Sequence, residues 1–529
     1  MKGNPGLIQR IGIMQRNIKL YSWQKKCLDS WKNHQYRGII HVVTGAGKTV
    51  FALAAIDEMR SRYPDVRIRI VVPTIPLANQ WKIALIHHAP DEKWRPGFFG
   101  GGRRDEPDRQ VMIYVINSAR KMLASHIRRD LALKQHVLLI CDECHHYQSK
   151  ENRKIFSFLD GNVPDVSQYH SLGMSATPFG TNYDEVLIRA LGEEIFRYDF
   201  NAAVGDGVIS PFSICEVSSS FMPEELLQYV DLTNRIGVLL KKLLSAYPEL
   251  RSLSQKQFIK AVSKIAREAD MNPENPAAAF LMMTYQRKNI TNLAEARIRC
   301  VVALVGFLHD ADKILIFCER ISQAEELSVI LRKHYGQAVG LYHSGMTKEA
   351  RIRILNEFRR RQTRILVSCR CLDEGIDVPD ANVGIVLSSS SVERQRVQRL
   401  GRVIRRADNK SSACLYYIYI RESSDDAAYL HGLDCSERFT IRYYPSENVF
   451  SNDIYEYIAA DMIGNAHKRE YNGEQLAELR RCLTEGLVRA DCFLPHETVG
   501  RAAGCANSRH ERNYWNVMKK VGDVFREKE

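Results

Sequence analysis

Short apolar runs alternate with amphipathic helical stretches in two separate blocks of the chain, and this rhythm strongly constrains the fold. The runs cover residues 39–43, 66–72, 111–116, 136–141 and 169–174 in the first block, and 313–318, 338–342, 364–368, 383–387 and 414–420 in the second. Each run ends in a polar or glycine-rich loop. Buried strands joined by crossover helices form parallel sheets. The pattern therefore predicts an α/β protein with two lobes, each a doubly wound parallel sheet.

Helical spacing replaces the strand pattern between the two blocks. Apolar residues such as Ile236, Leu240 and Leu243 recur every three to four positions, which predicts a helical insertion. The pattern beyond Leu433 also predicts helices. With 529 residues the chain exceeds what one hydrophobic core usually holds. We expect a first lobe at 1–205, a connecting strand and helical insertion at 206–310, a second lobe at 311–435, and a small helical C-terminal domain at 436–529.

The composition argues against a membrane protein and favours an anionic partner. The apolar runs are far shorter than the roughly 18 residues of a membrane span. The first 24 positions lack the apolar core of a secretory signal, and most of the 13 cysteines lie singly in apolar runs, as in a reducing compartment. These features predict an intracellular, cytoplasmic protein. The net charge of +13 favours nucleic acid, because each basic side chain near a phosphate releases counterions.

A glycine-rich loop with a lysine follows the first predicted strand and precedes a predicted helix. Glycines let backbone N–H groups approach phosphates, and the N-terminus of the following helix favours negative charge. Lys48 would neutralise the β- and γ-phosphates, and Thr49 would ligate Mg²⁺. ATP and Mg²⁺ are therefore the expected cofactors. The candidate residues of this loop are Thr44, Gly45, Ala46, Gly47, Lys48 and Thr49.

Two adjacent carboxylates stand at the end of the fourth predicted strand, where ligands of open α/β sheets gather. Asp142 would hold Mg²⁺ through water, and Glu143 would orient and polarise the attacking water. Cys141 and Cys144 also form a C-x-x-C pattern, but the chain has no second such pair to complete a zinc site.

The motifs together resemble those of superfamily 2 helicases. They read T-G-A-G-K-T at 44–49, D-E-C-H at 142–145, S-A-T-P at 175–178, L-D-E-G-I-D-V-P at 372–379 and Q-R-L-G-R-V-I-R at 398–405. The resemblance covers roughly three quarters of the chain. The string V-V-P-T-I-P-L-A-N-Q-W at 71–81 looks most like XPB-type DNA helicases and the ATPases of restriction subunits. DEAD-box RNA helicases fit less well, because Cys144 and His145 replace their alanine and aspartate.

The resemblance implies further nucleotide contacts. Gln24 would pair with the adenine edge. The second half of the chain would supply arginine fingers, because only a planar and permanently charged side chain can brace the γ-phosphate in this way. The second-half candidates are Gly375 and Asp377 for nucleotide binding, and Gln398, Arg402 and Arg405 for catalysis.

The resemblance also implies coupling residues and a path for nucleic acid. His145, Ser175 and Thr177 would link the state of the nucleotide site to the lobe interface. Hydroxyls, backbone amides and loop ends suit phosphate contact without base reading. The candidate nucleic-acid contacts are Pro73, Thr74, Gln80, Ser118, His343, Ser344, Gly345 and Ser368.

These motifs predict a nucleic-acid-dependent ATPase that acts as a DNA helicase or translocase and is blind to base sequence. RNA stays an alternative track, since a D-E-C-H box also occurs in sensors of duplex RNA. Two other functions stay open: a sensor or clamp that signals to a partner, and the motor subunit of a restriction or phage-defence complex. A protein partner would bind the insertion or the C-terminal domain. There, residues 497–515 suggest either a helix-turn-helix or a plain packing module.

Overall fold

The computed structural model describes residues 19–89, 94–160, 166–180, 182–210, 212–272, 274–308, 313–369, 381–388, 413–424, 438–445, 448–451 and parts of 496–523. Among these residues, a first unit ends at Ile209 and a second begins at Ser210. None of the helices in the described ranges is both long and apolar enough to cross a lipid bilayer.

The first unit is built on a sheet with the strand order β4-β3-β5-β2-β6-β7-β1-β8. All pairings in it are parallel except β3 with β4. Every residue of β5, β6 and β7 is buried, as expected of strands covered on both faces. The strands are β1 (Arg37–Val42), β2 (Arg67–Val72), β3 (Gly97–Gly100), β4 (Arg103–Arg104), β5 (Val111–Val115), β6 (Val137–Asp142), β7 (Tyr169–Ser175) and β8 (Glu194–Tyr198).

Helices of the first unit connect these strands. The helix after β2 begins at Ile75, with Pro76 in its first turn, and Thr74 is its N-cap: the Thr74 Oγ1 accepts a hydrogen bond from Leu77 N at 3.4 Å. The helices are α1 (Ser22–Asn33), α2 (Lys48–Arg62), α3 (Ile75–His88), α4 (Ile116–Ala132), α5 (Arg189–Leu191) and α6 (Phe200–Gly205).

A buried ion pair fixes α4 to the centre of this sheet. The guanidinium of Arg69, on β2, lies 2.6 Å from Asp130 Oδ2 on α4, and both side chains are almost completely inaccessible to solvent. Arg69 also donates to the carbonyls of Pro107 and Arg109, so the loop before β5 is held as well. A buried charge of this kind is tolerated because its donors are satisfied.

The second unit contains a sheet with the order β11-β12-β10-β13-β14-β9-β15-β16, parallel except for β15 with β16. Its strands are β9 (Phe212–Ser219), β10 (Ile314–Cys318), β11 (Val339–Tyr342), β12 (Ile365–Cys369), β13 (Val383–Val386), β14 (Ala413–Ile420), β15 (Arg438–Tyr444) and β16 (Val449–Ser451). Its helices are α7 (Pro223–Ala246), α8 (Gln255–Glu268), α9 (Pro276–Leu293), α10 (Glu295–Phe307), α11 (Ile321–Tyr335), α12 (Lys348–Arg359) and α13 (His496–Gly504). The prediction of two parallel-sheet α/β lobes is confirmed.

The helical insertion is present as α7, α8 and α9, which share a hydrophobic core of their own around Leu243, Val262 and Phe280. These helices and β9 lie within 206–310, the range expected for the connecting strand and the helical insertion together, and the domain bounds stay a prediction. β9 pairs with β14 and β15 inside the second sheet, and α10 packs on that sheet through Val301 and Leu304.

The prediction of helices beyond Leu433 is wrong for residues 438–444 and 449–451, which form β15 and β16. The side chains of Ile441 and Tyr443 alternate into the core, and β15 extends the sheet by pairing with β9. Farther on, α13 and the residues after it pack on the same core through Val499, Trp515 and Met518. The described part of the C-terminal segment therefore contributes to the core of the second unit.

Candidate nucleotide and nucleic-acid site

The carboxyl ends of the parallel strands bring the predicted residues of the first unit to one edge of its sheet. Along this edge the strands follow the order β5, β2, β6, β7 and β1. Ser118 follows β5 and Thr74 follows β2, so the candidate nucleic-acid contacts are neighbours. Asp142 ends β6, Ser175 ends β7, and the glycine-rich loop follows β1. The candidate nucleic-acid contacts thus lie on one side of this edge, called the track side, and the candidate nucleotide residues on the other, called the nucleotide side, and the two meet between β2 and β6.

The loop after β1 has the backbone geometry of a phosphate-binding loop. Gly45 and Gly47 have φ values of 86° and 95°, which favour glycine, and a Cβ on Gly47 would lie 3.1 Å from Gln24 Nε2. α2 begins directly at Lys48, whose Nζ donates to the carbonyl of Val42 at 3.1 Å. Ala46 is buried, and Gly45 is exposed. The loop therefore directs a lysine and a helix N-terminus to one place, as anion binding requires.

Gln24 supports this loop from α1. Its side chain is fully buried; Oε1 accepts a hydrogen bond from Tyr21 N at 2.9 Å, and Nε2 donates to Gly47 O at 3.0 Å. These bonds fix the loop to the start of α1. The role of Gln24 in reading adenine stays a prediction.

Asp142 is held from three directions. Trp81 Nε1 donates to its Oδ2 at 2.8 Å, and Glu143 N donates to its Oδ1 at 3.0 Å. The hydroxyl of Tyr147 lies 2.7 Å from Asp142 O and 2.9 Å from Val71 O. Burial, followed by the charge of Glu143, raises the pKa of Asp142 to about 6. Because keeping this buried carboxylate charged costs free energy, a bound cation that neutralises its charge would be favoured.

Glu143 begins a line of polar contacts that joins two motifs. Its backbone is left-handed, with φ 47° and ψ 51°, a conformation that costs about 1 kcal/mol or more in a non-glycine residue. Its Oε2 lies 3.4 Å from His145 Nδ1, which lies 2.8 Å from Ser175 Oγ. That hydroxyl accepts from Thr177 N at 3.0 Å. The three predicted coupling residues are therefore in direct contact.

Trp81, Tyr147 and His41 are structural partners of the site that the motif pattern does not single out. His41, on β1, lies with Nε2 2.9 Å from the carbonyl of Ala176, and burial lowers the pKa of its ring. A neutral imidazole with its proton on Nε2 fits this contact. The site residues predicted by the motifs thus depend on aromatic neighbours whose role appears only in three dimensions.

The other predicted contacts on the first unit are partly accessible and lie before or within α3 and α4. Pro73, before α3, and Gln80, in its second turn, are half-buried. Thr74, the N-cap of α3, and Ser118, in the first turn of α4, are half-buried at helix starts. N–H groups at such positions lack intrahelical acceptors and suit phosphate oxygens.

In the second unit, the loop after β11 holds three of the predicted contacts. Ser344 and Gly345 are exposed. His343 is buried; its Nδ1 accepts from Gly345 N at 3.2 Å, and its Nε2 lies 3.5 Å from Glu325 Oε1. Ser368 is different: it is 1% exposed, and its hydroxyl donates to Ile316 O at 3.1 Å inside the sheet, a position that does not favour contact with nucleic acid.

The five second-half candidates for the nucleotide site lie outside the described residues. They are Gly375, Asp377, Gln398, Arg402 and Arg405.

Cys141 and Cys144 flank the carboxylates and are both buried. Burial raises the pKa of both thiols, which disfavours the thiolate that metal binding and redox chemistry need. They pack as small apolar groups in the core of the first unit.

Two family models match the parts of the chain that carry these motifs. "Type III restriction enzyme, res subunit" matches residues 17–180, and "Helicase conserved C-terminal domain" matches residues 296–407. The "DNA 3'-5' translocase XPB2" of Sulfurisphaera tokodaii is 28% identical over 400 residues, which cover 75% of this chain and 81% of that protein. The chain belongs to helicase superfamily 2.

This superfamily 2 helicase has other relatives of greater length. The "Putative DNA 3'-5' helicase Rad25" of Haloarcula marismortui is 25% identical over 397 residues. The matched residues cover 74% of this chain and about half (52%) of that protein. Among solved structures, the helicase domain of Pyrococcus furiosus Hef matches with a TM-score of 0.52 and 17% identity, over 77% of this chain and 97% of that one. The predictions of a helicase family, an ATP-dependent enzyme and a two-lobed fold are confirmed.

Proposed function

We propose that this superfamily 2 helicase is an ATP- and Mg²⁺-dependent DNA motor that moves 3′ to 5′ along a strand without reading its bases. The observation that carries the proposal is the line of contacts from Glu143 through His145 to Ser175 and Thr177, at the end of β7, which neighbours the β1 strand that leads into the glycine-rich loop. Relatives named as DNA 3′-5′ translocase and helicase support DNA and the polarity. We also propose that it works in the cytoplasm, where ATP and nucleic acid are both present.

The residues of the first unit fit Mg²⁺ and ATP. Lys48 and the amides at the start of α2 would bind the phosphates, and Thr49 and Asp142 would hold the metal. Mg²⁺ prefers oxygen ligands, and the two Asp142 oxygens are fixed by Trp81 and Glu143 N rather than freely rotating. Bound Mg²⁺ would neutralise charge on the phosphates. Gln24 would hold the loop through Gly47 O, and its contact with the adenine would require the buried amide to become accessible to the nucleotide.

Glu143 would orient the attacking water and accept its proton. Its neighbour His145 shares a hydrogen bond with Ser175, so a change in how Glu143 meets water would be transmitted to the S-A-T-P loop. In the proposal, Arg402 and Arg405 stabilise the charge that develops on the γ-phosphate, while Gln398, Gly375 and Asp377 complete the second side of the site. Hydrolysis would then change the contacts of the arginines and drive one step.

The proposed track uses backbone amides and short polar side chains. In the first unit it uses Pro73, Thr74 and Ser118 at the starts of α3 and α4 and Gln80 farther along α3, and in the second unit it uses the loop after β11. Such groups bind phosphates of any sequence. Ser368 is left out of the track because its hydroxyl is engaged inside the sheet. The net charge of +13 supports strong dependence of binding on salt.

One alternative has an observation of its own. The model that matches residues 17–180 is described as a subunit of a type III restriction enzyme, which favours a motor that works within a defence complex. In that case a protein partner would bind the insertion or the C-terminal segment. This alternative keeps the same ATPase site and differs in the biological process that the motor serves.

The experiment uses DNA and RNA strands with biotin at the 5′ or the 3′ end, loaded with streptavidin. A 3′-to-5′ DNA motor displaces streptavidin from the 5′ end of DNA in the presence of Mg²⁺ and ATP, and Lys48→Ala displaces none. Duplexes with 3′ or 5′ tails then separate unwinding from movement alone. ATP hydrolysis without displacement from any strand would contradict the motor and favour a clamp, and displacement from RNA only would contradict DNA as the track.

A further inference from the structure

Trp81 connects the two sides of the sheet edge. It lies on α3, which follows β2, whereas Asp142 ends β6, the neighbouring strand. Its indole Nε1 lies 2.8 Å from Asp142 Oδ2, and the two side chains are only 1% and 5% exposed. An aromatic side chain from the track side thus contacts the carboxylate of the nucleotide side directly.

In this contact the indole is always the hydrogen-bond donor and the carboxylate is always the acceptor. An indole N–H can only donate, so it neither competes for a metal nor accepts a proton. A hydrogen bond to an ionised carboxylate is stronger than one between neutral groups and fixes the direction of the acceptor oxygen. The ring is rigid and held in the core, so the carboxylate cannot rotate without losing the bond. Groups that orient a metal-binding side chain commonly change metal affinity when they are removed.

We propose that Trp81 is a positioning residue for the metal: its indole N–H holds the Asp142 carboxylate in the rotamer that meets Mg²⁺ bound with ATP. This inference rests on the proposed nucleotide site and adds a residue to it. It assigns to α3, a helix on the track side, a direct part in holding the metal ligand.

The chain supplies a matched control. Trp31 is also fully buried in the first unit, and its Nε1 donates to a backbone carbonyl, that of Ser171, at 2.9 Å. Loss of this bond removes a buried indole hydrogen bond of similar length without touching a candidate metal ligand. A purely structural role of Trp81 would therefore give the same result as Trp31.

The test compares Trp81→Phe, Trp31→Phe and a protein with benzothienylalanine at position 81, in which sulfur replaces the indole N–H at nearly unchanged shape. Binding of a fluorescent N-methylanthraniloyl ATP is followed by anisotropy during a Mg²⁺ titration, and again in EDTA. We expect the half-saturating Mg²⁺ concentration to rise about 10-fold in both Trp81 proteins. The nucleotide affinity in EDTA should not change. Trp31→Phe should keep the wild-type Mg²⁺ dependence while its melting temperature falls.

The outcomes separate the inference from the site it rests on. If wild type shows no Mg²⁺-dependent nucleotide binding, the proposed site itself fails. If wild type binds as expected and the Trp81 proteins stay within about twofold of it, or if Trp31→Phe shifts equally, Trp81 has no positioning role. Should Trp81→Phe fail to fold, the benzothienylalanine protein decides, because it preserves the packing of the ring.

Discussion

Replacing Asp142 with asparagine should stabilise the protein in the absence of metal and nucleotide. Burial and Glu143 raise the pKa of Asp142 from 3.8 to about 6, so keeping this carboxylate charged costs folding free energy. A difference of about 2 pKa units corresponds to about 3 kcal/mol at neutral pH. Asparagine removes this cost and keeps an oxygen for Trp81. It places an amide N–H₂ donor against Glu143 N, which then lacks its acceptor at a cost of about 1 kcal/mol or more, so the expected net gain is at most about 2 kcal/mol.

The pH dependence follows from the direction of the shift. Because the pKa is raised in the folded protein, the protonated form is favoured there, and this group contributes its greatest relative stability below about pH 4. That contribution is lost as the pH rises through about 6. The advantage of Asp142→Asn over wild type should therefore be small near pH 4 and full above about pH 6.

The assay is thermal unfolding of both proteins in EDTA at several pH values, with Asp130→Asn as a matched control. Asp130 is equally buried but is paired with Arg69 at 2.6 Å, so its replacement should destabilise the first unit by about 3 kcal/mol. Added Mg²⁺ and ATP should reverse the order for Asp142, since only the carboxylate gains from the metal. If Asp142→Asn is less stable than wild type at pH 7.5 in EDTA, the reasoning about its environment is wrong.

Three further predictions address the motor. Lys48→Ala should abolish nucleotide binding, whereas Glu143→Gln should bind ATP and form a stable complex with DNA without turnover. Turnover is measured by phosphate release, and normal turnover in a Glu143→Gln protein would refute the role of Glu143 in activating water. Arg402→Lys and Arg405→Lys should lower kcat far more than ATP affinity, because lysine keeps the charge but loses the planar fork, and unchanged kcat in both would exclude fingers at these positions. Trp515→Ala should lower the melting temperature and the free energy of unfolding, the latter by about 3 kcal/mol or more, because Trp515 packs in the core. The salt dependence of DNA binding should stay unchanged, and a flatter dependence would instead indicate a DNA contact.

The strands that support the site were predictable because their signal is local. Buried parallel strands are continuous apolar runs, so the predicted run 169–174 and the observed β7, Tyr169–Ser175, differ by one residue. The polar residues at the ends of these runs then follow from topology, because parallel strands place their carboxyl ends at the same edge. That is why Asp142, Ser175 and Lys48 were identifiable without coordinates.

The remaining features depend on contacts that are distant in the sequence. β15 becomes a strand by pairing with β9, more than two hundred residues earlier, although the alternation of Ile441 and Tyr443 was a weak local sign of it. Trp81 meets Asp142 across 61 positions of the chain, and nothing in the string Q-W shows where its N–H points. Similarly, only the sheet shows that Ser368 turns its hydroxyl inward.

We expect nucleic acid on the track to control ATP hydrolysis at the site formed by Lys48, Asp142 and Glu143, and this control is the centre of the proposed function. It is tested most directly by phosphate release from the full chain in Mg²⁺ and ATP, with and without single-stranded DNA, duplex DNA and the matching RNAs. We predict that single-stranded DNA raises turnover at least about 10-fold, a change in barrier of about 1.4 kcal/mol, and that Glu143→Gln abolishes it. Equal turnover with and without every nucleic acid would contradict the claim.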